Sequence, residues 1–258
     1  MNTPRFCWTS AALSDVGLVR RTNEDACLDA PERGLWAVAD GMGGHACGDI
    51  ASAMIVEALS KLTPPATLPA FVLAIRDYLR LVNTVLQAAA ARRNVSIIGS
   101  TVAVLAAIDG DCAVLWAGDS RAYLLRQGVL RQLTRDHSQV AEQVINQRVS
   151  GSQGMPAAEH GASNIVTRAV GAADTLLMDE ASLAVVDGDV LLLCSDGLTK
   201  AVSDPEIARA VVPGNCRHSA QALVALALQH GGEDNISVVV LSVEDLCSAD
   251  RTIVNPAF

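Results

Sequence analysis

Short, wholly apolar runs along this chain stop abruptly at acidic residues, and that pattern sets the expected architecture. Leu35 to Ala39 reads as a buried strand, too short for a core helix and with nothing in it that wants water. It ends at Asp40, after which Gly41, Gly43 and Gly44 allow a tight turn through His45 into a helix. Two later stretches echo one another. Ile108-Asp109-Gly110-Asp111 begins a hairpin turn into Cys112 to Gly118, which ends at Asp119. Val186-Asp187-Gly188-Asp189 reads the same way, into Val190 to Ser195, which ends at Asp196. A fourth carboxylate, Asp234, stands just ahead of the apolar run Ile236 to Leu241.

Between these landmarks the pattern changes period. Residues 1–19 form a first strand region, followed by the polar cluster Arg20-Arg21-Thr22-Asn23-Glu24-Asp25. Ala46 to Leu62 has the spacing of an amphipathic helix, with Ile50, Met54, Ile55, Ala58, Leu59 and Leu62 on one face. Pro64, Pro65 and Pro69 separate it from a longer helix over Phe71 to Arg93, with Phe71, Ile75, Tyr78, Leu79, Val82, Val85 and Leu86 inward. Thr101 to Ile108, Cys112 to Gly118 and Arg121 to Gln127 are expected to form a meander, with a turn at Gln127-Gly128 before Val129 to Leu133. Gln139 to Arg148 reads as a short helix. Val149 to Ser163 is rich in Gly, Ser and Ala without periodicity, as in a functional flap or a poorly ordered insertion. Helices around Asp204 to Val211 and over Arg217 to Gln229 precede the last strand.

If that strand runs antiparallel to one of the others, its start lies beside its neighbour's end, and four aspartates gather at one rim of the sheet core. Like charges that close require cations between them. Oxygen-only ligands with one or two carboxylates per ion describe magnesium or manganese. Taken alone, Asp40 is equally an ordinary cap at a strand-turn-helix junction, and only the recurrence of the device argues for more.

Composition narrows the alternatives. A chain of 258 residues, 50% of them hydrophobic and only 3% aromatic, builds a full core from Ala, Val, Leu and Ile. The net charge of −9 argues against nucleic acid, whose phosphates are bound by clustered Lys and Arg. Seven cysteines, odd in number and never spaced Cys-x-x-Cys, read as small buried hydrophobes of a reducing compartment. No secretory pattern and no membrane-length apolar run is present, so a cytoplasmic location is expected.

Eight motifs then fall into place in order: Arg20 with Glu24-Asp25, Val38-Ala39-Asp40-Gly41-Met42-Gly43-Gly44-His45, Gly99-Ser100-Thr101, Gly118-Asp119-Ser120-Arg121, Asp136-His137-Ser138, Thr167-Arg168-Ala169-Val170-Gly171, Ser195-Asp196-Gly197-Leu198 and Glu233-Asp234-Asn235-Ile236-Ser237. Together they span nearly the whole chain. In them the sequence resembles the metal-dependent serine/threonine protein phosphatases of the PPM family (type 2C), in their compact bacterial form.

The resemblance implies an α/β sandwich of two face-to-face antiparallel β-sheets with helices on both outer sides. It implies one catalytic domain over residues 1–246, with a flap at about 138–165, and a tail over 247–258. It also implies two Mn²⁺ or Mg²⁺ ions, with Asp40 bridging both and the Gly41 carbonyl contributing to one. Asp196 and Asp234 would hold the other ion, and Glu24 would act through water. Asp119, with Asp196, matches positions that hold a third, weaker ion. Two divalent ions about 3.5–4 Å apart would ready a bridging water for attack on phosphorus, so no protein nucleophile is needed. Arg20 would grip the phosphate with its planar fork. His45 is one candidate for protonating the leaving alkoxide, a second-shell water the other.

The expected substrate is a phosphoprotein of a serine/threonine kinase, and a monomer is the expected state. A catalytically silent regulatory module, or a phosphatase of small phosphomonoesters, is the alternative. The departure from the family pattern is Glu159-His160-Gly161-Ala162-Ser163-Asn164, where relatives often carry a basic or proline-bearing stretch.

Overall fold

A computed structural model of the chain describes residues 5–43, 47–139 and 165–247. In chain order the elements are β1 (Phe6–Asp15), β2 (Asp25–Ala30), β3 (Leu35–Gly43), α1 (Gly48–Ser60), α2 (Leu68–Arg93), β4 (Ile98–Ser100), β5 (Val102–Ile108), β6 (Asp111–Ala117), β7 (Arg121–Arg126) and β8 (Val129–Gln132). There follow β9 (Asp179–Ala184), β10 (Val190–Cys194), α3 (Asp196–Ala201), α4 (Asp204–Ala210), α5 (Cys216–Gln229) and β11 (Ile236–Asp245). One sheet has the order β1-β11-β10-β7-β8; the other has β2-β3-β5-β6-β9, with β4 paired to the far end of β3. Neighbouring strands in both sheets are antiparallel.

The apolar runs are continuous because each central strand is buried on both faces. Along β3, Trp36 and Val38 point into the space between the sheets, while Leu35, Ala37 and Ala39 meet α1 and α2. Along β11, Val239, Leu241 and Val243 fill the same inter-sheet layer, and Ile236, Val238 and Val240 face α3, α4 and α5. A period of two thus produces three apolar layers from two sheets. Trp36 is fully buried, and its indole N–H donates to Ser10 Oγ at 3.0 Å, so the largest inter-sheet side chain leaves no donor unmade.

Several sequence expectations need correction. The β5–β6 turn is the expected hairpin, with Ile108 opposite Asp111. The stretch after β6 is no meander, because β6 pairs with β9 whereas β7 pairs with β10 and β8. Nor do Asp187 and Gly188 close a hairpin, since β9 and β10 belong to different sheets. The Asp-Gly signal marks a turn, but runs that are apolar on both faces fit either sheet, and packing decides the partner. Ile50 (37% exposed) and Val85 (45% exposed) do not face inward. A helix lying on a sheet buries a narrower stripe, here Ala51, Ile55 and Leu59 on α1. The helix expected over Gln139 to Arg148 and the Gly/Ser-rich stretch after it lie outside the described residues, apart from Gln139. Among the described residues no helix is long and apolar enough to cross a membrane.

Leu241 is fully buried between the sheets. Leu241→Ala is expected to lower unfolding free energy by about 2–5 kcal/mol in a urea titration, the range for a buried leucine that leaves a cavity. A loss under about 1 kcal/mol would contradict a tightly packed inter-sheet layer.

Candidate active site

The strand ends that carry aspartates meet at one rim. Asp25 of β2 stands opposite Asp40 of β3. The backbone of Asp40 is pinned from the next strand: its carbonyl accepts from Thr101 N at 2.8 Å and from Ser100 Oγ at 2.9 Å, and its N–H donates to Thr101 Oγ1 at 3.3 Å. Beyond it the glycine is obligatory. A Cβ on Gly41 would sit 2.0 Å from the Gly48 carbonyl oxygen and 2.7 Å from that of Glu24. Without it, the start of α1 and the Glu24 loop close directly onto β3.

On the other side, Gly118 carries the chain from one sheet to the other at φ +116°, a conformation side chains resist. The crossing is braced by His137, which stacks on Trp116 and whose Nδ1 accepts from the Gly118 N–H at 3.2 Å. That fixes the proton on Nε2, which lies 3.1 Å from Asp179 Oδ2. Arg121 forks onto Asp136, with bonds of 2.9 and 2.7 Å. These contacts brace the chain on either side of Asp119.

A pocket of about 290 Å³ is lined by Asp40, Gly41, Asp119, Asp196 and Asp234, with Arg20, Glu24, Thr101 and Asn235 around them. Seven of the eight candidate residues named from sequence are therefore brought together: Arg20, Glu24, Asp40, Gly41, Asp119, Asp196 and Asp234. The eighth, His45, lies outside the described residues. Glu24 Oε1 accepts from Gly48 N at 3.3 Å. Arg20 is forked onto Asp234, Nε to Oδ1 at 2.9 Å and Nη2 to Oδ2 at 3.1 Å.

Two further residues shape the site: Asn235, which the sequence gives only as part of a motif with no role of its own, and Lys200. Asn235 ties the Arg20–Glu24 loop to the start of β11: its Nδ2 donates to the Val16 and Thr22 carbonyls at 2.9 and 3.0 Å, and its Oδ1 accepts from Glu24 N at 2.8 Å. Lys200 places one ammonium 2.5 Å from Asp196 Oδ2 and 3.2 Å from Asp234 Oδ2. The four-residue spacing from Asp196 to Lys200 was the available signal, since a single helical turn brings them together.

The crowding perturbs the carboxylates. Burial, reinforced by Asp25, Asp196, Asp119 and Asp234, holds the Asp40 carboxyl well above the usual carboxylate range. Burial and then Asp196 push Asp119 up to about 7. Burial lifts Asp25 to about 6, against the opposing Ser195 and Ser237 hydroxyls. Burial raises Asp234 too, but Lys200 and Arg20 outweigh it and hold this group below its ordinary value.

Among the described residues Asp25 Oδ1, Asp119 Oδ1 and Asp196 Oδ1 are buried with no hydrogen-bond partner, which is costly for acceptors unless something positive reaches them. All are hard oxygens, as Mg²⁺ and Mn²⁺ prefer. Among the described residues no three acidic, His or Cys side chains close on a single point as they stand. Asp196 and Asp234 are turned onto Lys200 and Arg20 instead. The chemistry of the rim fits the ions; its ion pairs must rearrange to receive them.

Residues 19–229 match the family model for Protein phosphatase 2C. The serine/threonine protein phosphatase PstP of Mycobacterium tuberculosis is 36% identical over 239 residues, covering 91% of this chain and 45% of PstP, so the chain spans less than half of that relative. Among solved structures, PppA, described as a key regulatory component of T6SS in Pseudomonas aeruginosa, superposes with a TM-score of 0.84 at 45% identity, covering 92% of this chain and 97% of PppA. The catalytic domain of PstP in complex with two manganese ions gives a TM-score of 0.81 at 34% identity, covering 93% of this chain and all of that one (100%).

A carboxyl whose folded pKa lies above its unfolded value of 3.8 binds its proton more tightly in the native state, so its stabilising effect is present at low pH and lost as pH rises through the folded pKa. In EDTA, Tm is therefore expected to fall between pH about 4 and about 7 on account of Asp25 and Asp119, and Asp119→Asn should flatten that fall. A Tm that rises across this window, or that Asp119→Asn leaves unchanged in shape, would contradict the burial of these charges.

Proposed function

The chain belongs to the protein phosphatase 2C family, and from that premise we propose that it is a metal-dependent phosphatase hydrolysing phosphoserine and phosphothreonine in proteins. The observation that carries the reading is the meeting of Asp40, Asp119, Asp196 and Asp234 in one pocket, where among the described residues the buried Asp119 and Asp196 Oδ1 atoms lack any donor. Asp40, Asp196 and Asp234 would hold two divalent ions, Mn²⁺ or Mg²⁺, with the Gly41 carbonyl and, through water, Glu24. Asp119 and Asp196 would serve a third, weaker ion. Bound there, the ions supply Lewis acidity, which neutralises phosphate charge and lowers the pKa of attacking water.

The chain's own groups orient the substrate. Arg20 is half-exposed at the mouth of the pocket, and its fork suits two non-bridging phosphate oxygens once Asp234 no longer engages it. Asn235 sets how far that arginine reaches, because it anchors both sides of the loop. The water oxygen bonds to phosphorus as the ester P–O bond breaks, and the departing serine or threonine alkoxide takes a proton, for which His45 or an ordered water is the proposed source.

The substrate is then a phosphoprotein produced by a serine/threonine kinase, acted on by a monomer in the cytoplasm. We assign residues 1–246 to one catalytic domain, 138–165 to its flap and 247–258 to a tail. A silent module would be expected to have lost a carboxylate, yet Asp40, Asp196 and Asp234 are all present. The small-phosphomonoester alternative is separated by substrate.

Phosphoserine and phosphothreonine peptides are expected to be hydrolysed with Mn²⁺ well ahead of a phosphotyrosine peptide; equal rates on all three would overturn the protein substrate class. Asp40→Ala or Asp196→Ala should abolish turnover with the fold intact, and Arg20→Ala should lower kcat/KM by about 30- to 1000-fold, the loss of about 2–4 kcal/mol for one charge-stabilising donor. EDTA should stop the reaction and iodoacetamide should not. Inactivation by iodoacetamide but not by chelation would require a cysteine mechanism instead.

A further inference from the structure

Lys200 has an arrangement that phosphate hydrolysis does not explain. It sits in the last turn of α3, half-exposed, and its ammonium spans Asp196 and Asp234, the two aspartates assigned to the same ion. The ammonium reaches only the Oδ2 atoms of the pair, Arg20 forks onto both oxygens of Asp234, and among the described residues Asp196 Oδ1 stays buried without a donor. A monovalent ammonium thus leaves one oxygen of Asp196 unmet. A divalent ion would satisfy more of these oxygens with twice the charge, so exchange is favoured once the ion is available.

The lysine also has somewhere to go. Behind it lies a second cavity, about 440 Å³, lined by Arg20, Gly197, Lys200, His230, Glu233 and Asp234. A lysine stem has four rotatable bonds, so the ammonium can leave Asp196 for this cavity, where Glu233 offers a carboxylate, without disturbing α3.

We propose that Lys200 is a resident counter-ion of the metal site: it occupies Asp196 and Asp234 when no metal is bound, and each metal-binding event must displace it. The proposal rests on the reading of this rim as a divalent-cation site. Two consequences follow from competition for the same oxygens. Lys200 stabilises the metal-free fold by neutralising the rim, and it weakens apparent metal affinity by the fraction of molecules in which it is seated. Arginine in its place would hold the two carboxylates harder, because a planar fork forms parallel bonds that an ammonium cannot.

Calorimetric titration of the full chain with MnCl₂, after EDTA and dialysis, reads the competition directly. Lys200→Met is expected to bind Mn²⁺ about tenfold more tightly than the unsubstituted protein, the scale of one charge-assisted pair, and Lys200→Arg more weakly. In EDTA, Tm of Lys200→Met should fall below that of the unsubstituted protein, and the two should converge at saturating Mn²⁺. If Lys200→Met does not fold without metal, the sign of the Lys200→Arg change decides alone. Equal or weaker Mn²⁺ binding by Lys200→Met, or tighter binding by Lys200→Arg, would overturn the proposal while leaving the metal site standing. An unsubstituted protein that takes up no Mn²⁺ would overturn the metal reading and this proposal with it.

Discussion

Buried negative charge without matching positive charge is the constraint around which this molecule is arranged. Asp25, Asp40, Asp119 and Asp196 crowd one rim of the sheets, and three of their oxygens find no donor. The upward displacement of Asp40, Asp25 and Asp119 shows how poorly the rim tolerates ionisation. Such a cluster persists because packing elsewhere overrides it. Arg20 and Lys200 relieve the part nearest solvent, at Asp196 and Asp234. Among the described residues the Oδ1 atoms of Asp25, Asp119 and Asp196 have no such relief.

The scaffold supplies the overriding packing. Because both faces of the central strands are buried, one in the inter-sheet layer and one under helices, the register is fixed, and with it the position of each strand end. Glycine at 41 and the amide of Asn235 then do the local work: the first permits contact between backbones, the second converts a polar loop into a fixed wall of the pocket. Site geometry is thus inherited from sheet geometry, with Asp40 inside β3 and Asp119, Asp196 and Asp234 each two residues from a strand that cannot slide.

Much of this was legible in the amino-acid sequence, and the reason is physical. A run such as Leu35 to Ala39 has to be buried, and a carboxylate that follows or just precedes such a run marks the rim of the sheet, as Asp40, Asp119, Asp196 and Asp234 do, although β3 runs on past Asp40 to Gly43 and Asp119 is itself buried. What failed to show was choice of partner. Runs apolar on both faces, such as β6 and β10, fit either sheet, so their own residues do not say that β6 pairs with β9 or that β10 pairs with β7 and β11. Helix faces were overdrawn at Ile50 and Val85, since periodicity sets a direction but not the width of the buried stripe. Lys200 is legible only in part: its four-residue spacing from Asp196 signals that pair, but nothing signals the contact with Asp234, far away in sequence.

If these scattered acidic groups form one cage for two divalent ions, manganese must bind where they meet. Anomalous diffraction at the manganese edge, from crystals grown with MnCl₂, locates it. Two strong peaks are expected within the pocket bounded by Asp40, Asp196 and Asp234, with the Lys200 ammonium moved off both carboxylates. Absence of manganese from that pocket, with the four aspartates still gathered around it, would show that they cage no such ions.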